Sequence, residues 1–245
     1  MKTIIQPPPT VSLTVSGSEQ RFPVQRIFCV GRNYADHARE MGGDPQREAP
    51  FFFSKFASAV APNHSQIAYP AMTAELHHEV ELVVAIGKPG ATIAAERARE
   101  HIFGYAVGLD LTRRDLQTAL REQGRPWDMA KNFAQSAPIG TIHPVSLVGH
   151  PRQGTISLDV DGERRQSGDL ADMIWNCEEV IAHLSQFCPL QAGDVIMTGT
   201  PSGVSAVEPG QTLNAQIHGL EALSVSIAAA QLTPSPTSEQ DKPLP

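Results

Sequence analysis

The run His77-His78-Glu79-Val80-Glu81-Leu82-Val83-Val84-Ala85-Ile86 sets two carboxylates inside an otherwise apolar stretch. Its length and its content of Val, Leu and Ile predict a strand from Glu79 to Ile86. Side chains alternate across a strand, so Glu79 and Glu81 point one way while Val80, Leu82 and Val84 point the other, into a core. Two carboxylates on one face of such a strand repel each other and lose hydration. A cation between them removes both problems, and hard oxygen donors suit Mg²⁺ or Mn²⁺ better than Zn²⁺. A solvent-facing edge strand with two hydrated glutamates accounts for the E-x-E spacing more simply, if that spacing is taken alone. The helical H-E-x-x-H zinc pattern is absent, and His77 and His78 read as structural.

Around this strand the chain alternates short strands and helical pieces. Strands are expected at Arg26 to Val30, Phe103 to Leu109, Asp194 to Thr198, Thr212 to Ile217 and Ala222 to Ile227. Asp161-Gly162 between Ile156 to Val160 and Glu163 to Gln166 is a hairpin signal. Helices are expected at Tyr34 to Met41, Ala94 to His101, Leu111 to Glu122 and Ala171 to Phe187. Asp110 ends an apolar strand and precedes a helix, where it serves either as an N-cap or as a third ligand. The pattern predicts an α+β fold, mainly β, with helices at the periphery. Residues 1–25 read as an N-terminal arm with a strand at Val11 to Val15, residues 26–230 as the catalytic domain, and residues 231–245 as a Pro- and Ser-rich disordered tail.

Composition removes several function classes. The formal net charge of -7, with scattered acids, argues against a nucleic-acid partner. No apolar run reaches the roughly 18–20 residues that span a bilayer, so no membrane partner is expected. Three cysteines without CxxC spacing, and a start without a signal-peptide pattern, predict a reduced, cytoplasmic protein.

Six segments in order then resemble the fumarylacetoacetate hydrolase family, in its acylpyruvase and fumarylpyruvate hydrolase branch. They are Val30-Gly31-Arg32-Asn33-Tyr34-Ala35-Asp36-His37, Phe51-Phe52-Phe53-Ser54-Lys55, the Glu79/Glu81 run, Gly108-Leu109-Asp110 through Asp115, Trp127-Asp128-Met129-Ala130-Lys131-Asn132-Phe133, and Gly193 through Val204. The resemblance covers about residues 26 to 228. It implies a mixed β-roll of the family's C-terminal-domain type, a homodimer, and one Mg²⁺ or Mn²⁺ per subunit held by Glu79, Glu81 and Asp110. It implies a catalytic dyad, His37 and Glu40, in a lid, with Lys131 beside the metal. It implies that Arg114, Gln117 and Thr200 hold the substrate's carboxylate end. Lys55 matches a lid lysine, but Phe56 follows it where the family commonly has Pro.

Taken without the resemblance, His37 and Glu40 are an i,i+3 surface pair, Lys55 and Lys131 are solvated, and Thr198-Gly199-Thr200-Pro201 is a turn. Arg113 and Arg114 point about 100° apart on a helix, so at most one faces a site. The expected function is hydrolysis of a carbon–carbon bond in a small anionic 2,4-dioxo acid. Fumarylpyruvate is the first substrate expected, from the Met41-Gly42-Gly43-Asp44-Pro45-Gln46-Arg47-Glu48 stretch, with Arg32, Arg47 or Arg125 meeting the distal carboxylate. The alternatives are oxaloacetate decarboxylation or another 2-oxo acid lyase reaction, and, more distantly, a non-catalytic dicarboxylate-binding module.

Overall fold

A computed structural model of the chain describes residues 3–35 and 48–229. His37, Glu40 and Arg47, and the expected tail at residues 231–245, lie outside the described residues, as does nearly all of the helix expected from Tyr34 to Met41. A hairpin of β1 (Ser12–Val15) and β2 (Ser18–Pro23) precedes β3 (Arg26–Gly31) and β4 (Phe51–Lys55). Then come β5 (Gln66–Ala68), β6 (Val80–Ile86), β7 (Ile102–Leu109) and β8 (His143–Pro144). A second run follows with β9 (Thr155–Val160), β10 (Glu163–Asp169), β11 (Asp194–Met197), β12 (Thr212–Ile217) and β13 (Leu223–Ala228). The helices that matter here are α1 (Arg114–Glu122), α2 (Asp128–Lys131) and α3 (Cys177–Phe187).

Two large sheets carry the fold. One has six strands in the order β8-β7-β6-β11-β3-β4, and the other has five in the order β10-β9-β12-β13-β5. The connection between them is apolar: Val80, Leu82, Val84 and Ile86 of β6 belong to one buried cluster with Ile156, Leu158, Leu213 and Val225 of the second sheet. α3 adds Val180, Ile181 and Leu184 to it. The opposite face of β6 is covered too, because Val83 and Ala85 pack with Ile27, Cys29, Val195 and the hairpin residues Leu13, Val15 and Phe22. This is the expected mainly β, α+β arrangement of stacked sheets with helices outside them.

The two-sided cover decides between the readings of the Glu79/Glu81 run. β6 lies between β7 and β11, antiparallel to both, and every one of its residues is buried. It is a central strand, so the edge-strand reading of two hydrated glutamates is excluded.

Three helical boundaries differ from expectation, each for a local reason. α1 starts at Arg114 rather than Leu111, because Thr112 and Arg113 first pair antiparallel with His77 and Leu76. Residues Ala95–His101 form a 3₁₀ rather than an α segment. The amphipathic pattern from Ala171 to Phe187 spans a break: Leu170–Asp172 is a separate turn capped by Asp169, and α3 begins only after Asn176. The Asn176 side chain accepts the Glu179 amide while Glu179 accepts the Asn176 amide, a capping box that fixes the start of the helix. Met173 and Ile174, read as helical, instead meet Tyr34 and the Asn33 carbonyl. No described helix is long and apolar enough to cross a membrane.

Candidate metal centre

The antiparallel pairing of β6 and β7 brings two acidic positions to one end of the sheet. Beyond the last ladder pair, Val80 with Leu109, the Asp110 amide donates to the Glu79 carbonyl at 2.9 Å. Glu81, one residue inside, faces the same way as Glu79 by strand alternation. Carboxylate oxygens of Glu79, Glu81 and Asp110 lie within 4.8 Å of one another, and all three residues are buried.

Such a group needs compensation, and part of it comes from the chain. Lys131, from the end of α2, sets its Nζ 2.7 Å from Glu79 Oε2 and 2.7 Å from Asp110 Oδ2. Lys55, from the end of β4, sits 2.9 Å from Asp110 Oδ1 and donates to the Leu111 and Lys131 carbonyls. Arg114 donates to Glu79 Oε1 and, at 2.5 Å, to Gln117 Oε1. Both lysines are buried, so the solvated-lysine reading fails for each. Lys55 keeps a place at the centre despite Phe56: the Phe56 amide donates to Asn132 Oδ1 and the chain turns at Ala57–Ala59, with no proline needed.

The electrostatics are uneven. Burial drives the Glu81 carboxyl well above its ordinary value, reinforced by Asp110 and Glu79, and one amide bond from Gly199 at 2.7 Å only partly opposes this. Burial alone would lower Lys131, but Asp110 and Glu79 outweigh it and hold the ammonium charged. Burial pushes Lys55 below its ordinary value against the pull of Asp110. Burial and Arg114 push His77 down to about 4, so at neutral pH it is an uncharged neighbour of the Arg114 Nε, 3.4 Å away. An all-oxygen set of three buried carboxylates, one of them destabilised by its acidic neighbours, fits a hard divalent cation such as Mg²⁺ or Mn²⁺.

A cavity of about 280 Å³ opens over Glu79 and Glu81, with Asp110 buried behind them. Arg32, Arg114, Gln117, Lys131, Gly199 and Thr200 line it together with Glu79 and Glu81, so most of the residues expected to hold substrate converge there. Lys55 lies below, against Asp110. Arg114 faces the cavity, whereas Arg113 stacks over Phe133 and donates to the Met129 carbonyl; only one of the two faces the site, as expected, although Arg113 lies in the strand pair before the helix and not on it. Thr200 Oγ1 accepts from Gln166 Nε2, and Gln166 Oε1 also anchors His78, which confirms His78 as structural. Gly199 has φ +96°, and a Cβ there would meet the Asn33 side chain at 2.7 Å, so the amide that reaches Glu81 requires glycine.

Sequence reasoning missed Arg121, and it gave Trp127 no role beyond its motif. Both line the cavity with Phe51 and Phe53. The Phe53 and Trp127 rings meet edge to face at 5.0 Å, and Lys131 Nζ lies 5.0 Å from the Phe53 centroid. The 114-117-121 spacing along one helix was the available signal for Arg121. Arg125 is exposed and absent from the cavity wall.

Residues 26–228 match the family described as fumarylacetoacetate (FAA) hydrolase C-terminal. The chain belongs to the fumarylacetoacetate hydrolase family. It is 42% identical over 188 residues to a fumarylpyruvate hydrolase of a Ralstonia species, covering 77% of this chain and 97% of the relative. It is 42% identical over 199 residues to the oxaloacetate tautomerase YcgM of Escherichia coli K12, covering 81% and 90%. Among solved structures, fumarylpyruvate hydrolase from Pseudomonas aeruginosa in complex with Mn²⁺ and pyruvate matches at a TM-score of 0.92 and 54% identity, over 93% of this chain and all of that one.

Proposed function

We propose that this family member is a divalent-metal-dependent hydrolase, with residues 26–230 as its catalytic domain, that cleaves fumarylpyruvate into fumarate and pyruvate. The observation that carries the reading is the buried Glu79–Glu81–Asp110 triad under a cationic cavity. Three carboxylates against Lys55, Lys131 and Arg114 give 3 − 3 = 0, so a bound divalent cation, with Arg32 and Arg121 on the wall, leaves the cavity net positive and suited to an anionic dioxo acid. The Mn²⁺-bound relative at 54% identity, named fumarylpyruvate hydrolase, supports the metal and the substrate alike.

Glu79, Glu81 and Asp110 would hold the metal, which when bound supplies Lewis-acid polarisation of the substrate's 2-oxo oxygen and stabilises negative charge at carbons 2 and 3. Arg114 and Gln117, already fixed to each other, orient the carboxylate beside that oxo group, and Thr200 on the same cavity wall helps to hold it. Lys131 keeps a fixed charge where oxyanion character develops. His37 takes the proton from a water that attacks carbon 4, and Glu40, three residues on, holds the imidazole. The bond between carbons 3 and 4 breaks, carbon 3 is protonated, and pyruvate and the acid leave. Phe51, Phe53 and Trp127 limit bulk water at the cavity. The homodimer and the cytoplasmic location expected from the sequence accompany this reading, and a role in aromatic catabolism is proposed with it.

The test is loss of the β-diketone ultraviolet absorbance of fumarylpyruvate and acetylpyruvate in Mg²⁺, Mn²⁺ or EDTA. Metal-dependent loss, with pyruvate and the matching acid as products, is the expected result; no loss with either metal would refute the reading.

A second reading has its own support in the 42% identity to an oxaloacetate tautomerase. Tautomerisation moves a proton between carbon 3 and the 2-oxo oxygen of oxaloacetate, whereas decarboxylation breaks the bond between carbons 3 and 4, releases CO₂ and protonates carbon 3; both would use the same carboxylates and Lys131, and neither needs an attacking water. His37→Ala separates hydrolysis, which collapses, from decarboxylation, which needs no water-activating base and survives; tautomerisation is told apart by its product, the other tautomer of oxaloacetate with every carbon–carbon bond intact.

A further inference from the structure

We propose that Arg121 is the residue that selects substrates carrying a second, distal carboxylate. The inference deepens the hydrolase reading and rests on its assignment of the cavity as the dioxo-acid site. Arg114, Gln117 and Arg121 stand at i, i+3 and i+7 on α1, within about 60° of one another at 100° per residue. All three line the one cavity above the carboxylate triad, and they form a stripe from its floor to its mouth. Arg114, at the floor, is buried and committed to Glu79 and Gln117. Arg121 is exposed and has no carboxylate partner among the described residues, so its charge is free to serve a ligand.

The spacing suits the ligand. At about 1.5 Å rise per residue, the Arg121 backbone lies about 6 Å beyond Gln117 and about 10 Å beyond Arg114 along the helix. A seven-carbon diacid in extended zigzag places its carboxyl carbons about 7.5 Å apart, from C–C bonds of about 1.5 Å. A molecule whose first carboxylate is held by Arg114 and Gln117 therefore brings its second within reach of the Arg121 guanidinium. The guanidinium fork can then take both oxygens of that carboxylate. Arg32 also lines the cavity without an acid partner among the described residues, but it projects from the chain just beyond β3 and is not part of the stripe. It is the natural comparison.

The test measures binding to the Mn²⁺-loaded full chain by calorimetry, with two uncleavable 2-oxo acids of equal length: 2-oxoheptanedioate and 2-oxoheptanoate. The wild type is expected to prefer the diacid by about ten-fold or more, the size of a charge-assisted pair at a partly enclosed mouth. Arg121→Gln is expected to bring the two affinities within about two-fold, Arg121→Lys to keep part of the preference, and Arg32→Gln to keep most of it. Glutamine is a good helix former at this exposed position, so the variant retains its fold, which circular dichroism checks. An unchanged preference in Arg121→Gln, its loss in Arg32→Gln alone, or no diacid preference in the wild type overturns the proposal. An Arg121-dependent preference in a protein that hydrolyses no dioxo acid sinks the hydrolase reading and keeps this one. Hydrolysis of fumarylpyruvate with the preference intact in Arg121→Gln does the reverse.

Discussion

Two buried carboxylate centres of this protein are treated differently. Glu178, at the start of α3, is nearly buried, yet Arg99 reaches it at 2.5 Å and Arg152 at 2.9 Å. Burial would raise its carboxyl, but the hydrogen bonds from Arg152 and Arg99 outweigh it and hold it below its ordinary value. Glu81 has two acids for neighbours and a single amide from Gly199, and its carboxyl is driven upward. The first centre is finished by its own side chains. The second is left short of positive charge although Lys55, Lys131 and Arg114 surround it, because all three lean on Glu79 and Asp110. A structural ion cluster and a site built for an external cation are thus told apart by which carboxylate remains uncompensated.

The comparison breaks most decisively at Glu81. Glu81→Ala should weaken Mn²⁺ binding by about 100-fold or more in calorimetry, since a hard cation loses one of three buried oxygen ligands. The corresponding Glu178→Ala should leave Mn²⁺ affinity within about two-fold; equal losses would erase the distinction.

Metal should stabilise the whole fold. At a free Mn²⁺ concentration of about 100 times Kd, the gain is about 2.7 kcal/mol. For a chain of this size that corresponds to a rise in Tm of roughly 5–10 °C, reversed by EDTA and visible by calorimetry or fluorescence.

The two centres should respond to pH with opposite signs in metal-free protein. A carboxyl raised by folding, as at Glu81, favours the fold below its unfolded value, near 4.5, and that contribution is lost as pH climbs through its folded value. A carboxyl lowered by folding, as at Glu178, contributes stability above 4.5 that is lost as pH falls through its folded value. At pH 7, Glu81→Gln should therefore raise the metal-free Tm, whereas Glu178→Gln should lower it by about 2–4 °C. The latter corresponds to about 1 kcal/mol after discounting the exposed arginine ends. Shifts of the same sign would show that the chain satisfies both centres. The smallest effect is expected at the exposed Glu163–Arg165 contact, where Glu163→Gln should change stability by less than about 0.5 kcal/mol in urea unfolding.

Much of the metal centre was legible because it rests on short-range rules. Strand alternation put Glu79 and Glu81 on one face; the expectation that only one of Arg113 and Arg114 faces the site also held, but because Arg113 ends a short strand before the helix begins. Whether the strand was central or at an edge was not legible from its own residues. That depends on pairing with β7 and on β11, more than a hundred residues away. Lys55 was obscured for a similar reason: its role follows from Asp110 and the Leu111 and Lys131 carbonyls, which only the folded chain brings to it. The run from Ala171 to Phe187 shows the converse, a periodicity that continued through a capping box able to interrupt it. Arg121 became meaningful only once α1 was seen to border a cavity.

The central position of β6 also sets a timetable for motion. Its amides are locked between two antiparallel neighbours and covered on both faces, so their hydrogens exchange with solvent only when the molecule opens globally. The cavity wall is drawn instead from β4, at the sheet margin, and from α1, whose outer turns are exposed. Local fluctuations can therefore admit and release small molecules at the wall while the carboxylate floor keeps its geometry from one turnover to the next.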